Sequence, residues 1–149
     1  MARFSVAKYV DAPPSQVFAL FTDFEHAPEH VTGISRLEIL TPGPMGIGTR
    51  FRETRRMDGH ESTEEMEVTA FEPGRHYDLR HRSGSTEYRS AFRFAPARSG
   101  TQIEVDVESE PLSLAARLLT PITNRSMTGS MKRALVQDIE DLRRYAEKH

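Results

Sequence analysis

The sequence predicts an α+β domain, a seven-stranded antiparallel sheet with one apolar face covered by a long C-terminal helix. Three observations carry this. Between Ile34 and Glu108 apolar residues recur with period two, and turn signals cut the stretch into short runs. Farther on, Met127, Met131, Leu135, Ile139 and Leu142 follow one another at spacings of four, four, four and three, a helical stripe. The chain has 149 residues and no Cys, which is enough for one domain whose core needs no disulfide or metal staple.

The elements follow in order. Residues 3 to 10 put Phe4, Val6 and Val10 on one face of a strand, with Lys8 as the polar exception. Asp11-Ala12-Pro13-Pro14-Ser15 breaks it. Ser15 is placed to cap, and Pro14 to start, a helix on which Val17, Leu20, Phe21 and Phe24 share a face. Pro28 restricts Asp23 to Val31 to a second small helical piece before Gly33. Thr-Pro-Gly-Pro, Asp-Gly, Glu-Pro-Gly and two Ser-Gly turns then delimit six strands, near 34 to 40, 48 to 57, 61 to 71, 75 to 82, 86 to 95 and 101 to 109. Short turns make neighbours antiparallel.

One face of this sheet collects Phe51, Met57, Met66, Val68, Tyr77, Leu79, Tyr88, Phe92, Phe94, Ile103, Val105 and Val107, while the alternate positions are mostly charged or Thr. An apolar sheet face needs a cover, and residues 112 to 146 are the segment long enough to supply it. Their upstream stripe, Leu114, Leu118 and Ile122, is out of phase with the downstream one by roughly 100° or more on a straight helix. Pro121 lies at the mismatch, so a kink or break is expected there, with the upstream piece packing separately.

Composition removes several function classes. Lys plus Arg number 20 against 22 Asp plus Glu, a net charge of -2, which argues against nucleic-acid binding. Seventeen of those cations are Arg, and Arg50, Arg52, Arg55 and Arg56 stand beside Glu64, Glu65 and Glu67 as cross-strand pairs would. No apolar run approaches the ~18 residues of a membrane span, and the N-terminus alternates rather than forming a signal-peptide core, so a cytoplasmic protein is expected. His26 and His30 have the i, i+4 spacing of a helical zinc pair, but Pro28 separates them and no third ligand is apparent. No phosphate loop or nucleophile elbow appears; neither metal nor cofactor is implied, and the oligomeric state stays open.

Several short motifs point to a family. They are Val10-Asp11-Ala12-Pro13-Pro14 leading to Val17-Phe18, Thr22-Asp23-Phe24, Gly46-Ile47-Gly48-Thr49-Arg50-Phe51, Phe71-Glu72-Pro73-Gly74-Arg75, and Gly100-Thr101 before the last strand. With this element order, the chain resembles the START-like superfamily, in its polyketide cyclase/dehydrase and lipid-transport branch, over nearly its whole length. The resemblance implies a helix-grip fold for residues 1 to 149 as a single domain: a curved seven-stranded sheet wrapped around the C-terminal helix, with two small helices between strands 1 and 2. It also implies a cavity for a hydrophobic or amphipathic small molecule. Many relatives carry a Trp after the second small helix, where this chain has His30 and no Trp.

Polar residues on apolar phases mark candidate sites within such a cavity, because a buried polar group without a partner costs several kcal/mol. Glu53 and Arg55 follow Phe51 on the inward phase, Glu64 precedes Met66, His81 follows Leu79, and Ser90 lies between Tyr88 and Phe92; Asn124 and Thr128 share a helix face with Met127. These, with Tyr88 and His30, are the expected polar spots; Phe51, Met66, Leu79, Phe92, Met127, Met131 and Leu135 are the expected walls. The sequence thus points to a carrier or sensor of a lipid- or polyketide-like molecule. The alternative is a cofactor-free polyketide cyclase or dehydratase in which His81 or Glu53 serves as general acid or base and Tyr88 or Arg55 stabilises an enolate. A purely protein-interacting domain would have a filled core instead.

Overall fold

The computed structural model describes the backbone of residues 2–57 and 59–148; the side chains of residues 57, 116, 117 and 119–128 fall outside the description. The chain runs β1 (Ala2–Val10), α1 (Pro14–Thr22), a 3-10 turn (Phe24–His26), α2 (Ala27–His30), β2 (Ile34–Ile39), β3 (Arg50–Met57), β4 (His60–Glu72), β5 (His76–Ser83), β6 (Thr86–Ala97), β7 (Gly100–Pro111) and α3 (Leu114–Lys148). The seven strands form one antiparallel sheet in the order β1-β7-β6-β5-β4-β3-β2. Consecutive strands from β2 to β7 are therefore neighbours, as short turns require, and β1 closes on β7. This is the helix-grip fold.

The register sets the inward face. Phe51 faces Met66, Tyr77 faces Phe92, Phe94 faces Ile103, and Val105 faces Val6 as cross-strand partners. Register shifts between Ile34 and Arg36 and between Val68 and Ala70 are bulges, which bend a strand and add to the twist of a sheet. Outward positions carry charge ladders: Arg50 with Glu65, Arg80 with Glu67 at 2.8 Å, and Arg93 with Asp106 at 2.7 Å. Arg52 and Arg56 also lie on that wet face, paired with Glu38 and Glu61, whereas Arg55 is on the inward phase.

Helix α1 starts with Pro14 at its first turn, but its N-cap is Pro13, with no side-chain cap; Ser15 is already helical, contrary to the expected cap. Its Val17, Phe18 and Phe21 are buried. Phe18 makes edge contacts with Phe71, Tyr77 and Phe94, so α1 plugs one end of the curved sheet with an aromatic cluster. Phe24 belongs to the 3-10 turn rather than to α1, and it stacks on Phe51 at 4.4 Å.

The break expected at Pro121 is absent: α3 is a single helix from Leu114 to Lys148. A proline removes one backbone hydrogen bond and crowds one preceding carbonyl, which a long helix can absorb. Of the upstream stripe, Leu114 and Leu118 do not pack, being 75% and 72% exposed, and the side chain of Ile122 lies outside the described residues. The C-terminal half holds the helix on the sheet. Ile139, Leu142 and Ala146 are buried, Lys8 bridges to Glu140 at 3.3 Å, and Glu147 and Asp141 accept the backbone N–H groups of Asp11 and Thr32 at 2.9 and 3.0 Å. Lys8 is the polar exception of its strand because it reaches the covering helix.

Candidate functional site

Between α3 and the concave face of the sheet lies a cavity of about 490 Å³. Its apolar walls come from every layer: Phe4 and Val107 from β1 and β7, Leu20, Phe21, Phe24, Ala27 and Val31 from the small helices, Ile34 and Leu37 from β2, and Met131, Ala134, Leu135, Ile139 and Leu142 from α3. The stacked ring pairs Phe24–Phe51 and Tyr77–Phe92, the latter at 4.6 Å, line it toward the end that α1 plugs.

Polar groups enter from the inward positions of β3 to β6. Arg55 donates from Nη1 and Nη2 to the two carboxylate oxygens of Asp138 on α3, at 3.0 and 2.7 Å, and from Nε to Glu53 at 3.0 Å. The three side chains are only 17%, 17% and 10% exposed in the order Arg55, Asp138, Glu53. Such a fork is the geometry in which guanidinium binds carboxylate most strongly. Gly33 makes room for it, since a Cβ there would stand 3.1 Å from Arg55 Nη1. Burial pushes the Asp138 carboxyl up to about 6 against the pull of Arg55, and nearby Glu53 and Asp141 add to the rise. Arg55 stays protonated, its pKa raised by both carboxylates despite burial. The pair also lines a second hollow of about 230 Å³ with Arg56, Arg133 and Gln137, so it stands in the wall between this outer recess and the cavity.

A second polar group lies across the sheet. His81 and Tyr88 are cross-strand partners whose rings stack at 4.9 Å and 14°. Burial lowers the pKa of His81 and therefore favours neutral imidazole. The Tyr88 phenol is raised by burial and by the charge of Glu64, and Tyr77, fully buried, is raised well above its ordinary value by desolvation, then by Glu53 and Asp138. Glu64 is half-buried on β4, directly opposite Glu53. Ser62, Ser83 and Ser90 complete this wall.

Of the residues singled out in the sequence, Phe51, Glu53, Arg55, Glu64, Met66, Leu79, His81, Tyr88, Ser90, Phe92, Met131 and Leu135 line the cavity. His30 does not: its ring lies 3.9 Å from that of Tyr145, and its Nδ1 is buried without a hydrogen bond. The side chains of Asn124, Met127 and Thr128 fall outside the described residues. Asp138 escaped the sequence reading, although a signal existed. Arg55 on an inward phase demands a buried anion, and Asp138 sits three residues after Leu135 on the cavity flank of the stripe. His26 is occupied by Asp23 at 2.9 Å, and among the described residues no three His, Asp or Glu side chains gather as a metal group.

The decisive comparison is with protein families. The family described as polyketide cyclase / dehydrase and lipid transport matches residues 1–147. The chain belongs to this family. Among solved structures it is similar to the di-domain ARO/CYC BexL from the BE-7585A biosynthetic pathway, with 18% identity and a TM-score of 0.82, over 98% of this chain and 50% of that one. It is also similar to the ZhuI aromatase/cyclase from Streptomyces sp. R1128 (16% identity, TM-score 0.78, 99% and 94% covered). A START superfamily protein from Mycobacterium smegmatis gives 17% identity and a TM-score of 0.79, over 98% and 97% of the two chains. At these identities the likeness is one of fold. No curated protein matches the chain by sequence. Among the described residues, no helix is long and apolar enough to cross a membrane.

Proposed function

We propose that this protein binds a hydrophobic or amphipathic small molecule, lipid- or polyketide-like, between the sheet and α3, as a carrier or sensor. The observation that carries the reading is the cavity itself: about 490 Å³, mostly apolar, with a few polar groups. A protein using this face only for packing would fill it, because empty space behind side chains forfeits contacts and costs about 24 cal/mol per Å³. Native against denaturing mass spectrometry of the purified protein tests it. A mass excess that leaves on denaturation is expected; a bare chain that also fails to take up a neutral apolar dye would overturn the reading.

One observation favours a second reading, a cofactor-free cyclase or dehydratase. Two titratable groups in the cavity, Asp138 raised to about 6 and His81 lowered by burial, have environments suited to proton transfer near neutrality. His81 would serve as base, with Glu53 and Asp138 holding Arg55 where an enolate oxygen would form. ZhuI is described as an aromatase/cyclase and BexL as a di-domain ARO/CYC, which supports testing a poly-ketone substrate. Turnover lost in His81→Ala and in Glu53→Gln would establish this reading, and binding without turnover would dismiss it.

A further inference from the structure

The charge inside the cavity is one-sided. Among the described lining residues the charged groups are Glu53, Glu64 and Asp138 against a single Arg55. Three of the five N–H groups of Arg55 already donate to Glu53 and Asp138, and those two carboxylates outweigh its single positive charge. A ligand carboxylate reaching it would put a third carboxylate on one guanidinium, beside Glu53 and Asp138 in a partly desolvated wall. Glu64 is the opposite case. It faces the cavity half-buried, opposite Glu53 in the sheet, and makes no ion pair or hydrogen bond with any described residue. Its negative charge is felt at Tyr88 across the cavity wall. His81, held neutral by burial, adds no positive charge to balance it.

We infer that the ligand is an amphiphile whose polar end is a protonated amine, seated against Glu64, and that the cavity rejects apolar molecules ending in a carboxylate. The inference rests on the proposed ligand-binding role of the cavity and specifies the chemistry of its occupant. The apolar body would lie along Phe51, Leu79 and Phe92 toward the α1 end, with the ammonium between Glu64 and the Tyr88 hydroxyl. Partial desolvation strengthens both the attraction to a cation and the repulsion of an anion relative to water.

Three straight-chain probes of equal length, dodecylamine, dodecanol and dodecanoate, separate the possibilities through displacement of the neutral dye Nile red at about pH 7, where amine and carboxylate are both charged. The expected order is amine, alcohol, acid, with amine and acid differing by at least about tenfold in affinity. Glu64→Gln, which keeps the shape of the side chain, is expected to narrow that ratio several-fold while leaving dodecanol unchanged; dodecanol also reports that the variant is folded. Dodecanoate binding as tightly as dodecylamine, or a ratio indifferent to Glu64→Gln, would overturn the inference with the ligand-binding role intact. Failure of Nile red and of all three probes to bind would overturn both.

Discussion

Replacing Arg55 by Met strands two carboxylates in a nearly closed wall. Glu53 and Asp138 are 10% and 17% exposed, and Arg55 makes three charge-assisted hydrogen bonds to them. Removing one partner of a buried pair costs about 3–5 kcal/mol, because the remaining charge is left without compensation. In a domain of this size each kcal/mol moves Tm by about 2–4 °C, so a fall on the order of 10 °C is expected near neutral pH. The pH dependence carries the sharper signature. Asp138 already sits raised to about 6 from its ordinary 3.8, and loss of the guanidinium raises that carboxyl further in the folded state. A carboxyl with a raised folded pKa stabilises the fold while it is protonated, and that contribution is lost as pH rises through the folded value. The deficit of Arg55→Met relative to wild type should therefore be small at about pH 5 and grow toward about pH 8. Adding Glu53→Gln and Asp138→Asn should recover much of the loss at the higher pH. Circular-dichroism melts of all three proteins at both pH values measure this. A fall under about 3 °C, or a deficit equal at both pH values, would refute the description of Arg55 as the buried counter-charge of two carboxylates.

Other substitutions probe the sheet, the core and the cavity separately. Gly100→Ala should be severely destabilising by thermal melt, because its Cβ would stand 2.2 Å from the Val10 carbonyl oxygen. Ile139→Ala should cost about 2–5 kcal/mol in denaturant unfolding, since Ile139 is 2% exposed, whereas Leu135→Ala should cost clearly less, because half-buried Leu135 already borders open space; equal costs would contradict the placement of the cavity. His81→Ala should leave Tm nearly unchanged and weaken Nile red binding, and unchanged binding would remove His81 from the site.

The sheet was legible because period two and turn residues both act locally: each of the six strands after Gly33 is bounded by its own Gly or Pro turn, and the alternation alone determines which side chains face inward. The inward polar residues Glu53, Arg55, Glu64 and His81 could be named for the same reason. What could not be read depends on partners far away in the chain. Asp138 acquires its meaning from Arg55, 83 residues earlier. His30 lies in a four-residue helix, too short for a periodic pattern to say which face it turns, and it packs on Tyr145 near the end of α3. Pro121 reads locally as a breaker, yet the helix continues through it, with Leu114 and Leu118 before it exposed rather than packed.

Entry of an apolar molecule between the sheet and α3 is tested most directly by methyl-resolved NMR during titration with dodecanol. Shift changes are expected to concentrate on the Met66, Leu79, Met131 and Leu135 methyl groups, which face the cavity from both layers. Changes confined to the exposed Leu114 and Leu118 methyls, with the cavity methyls still, would contradict it.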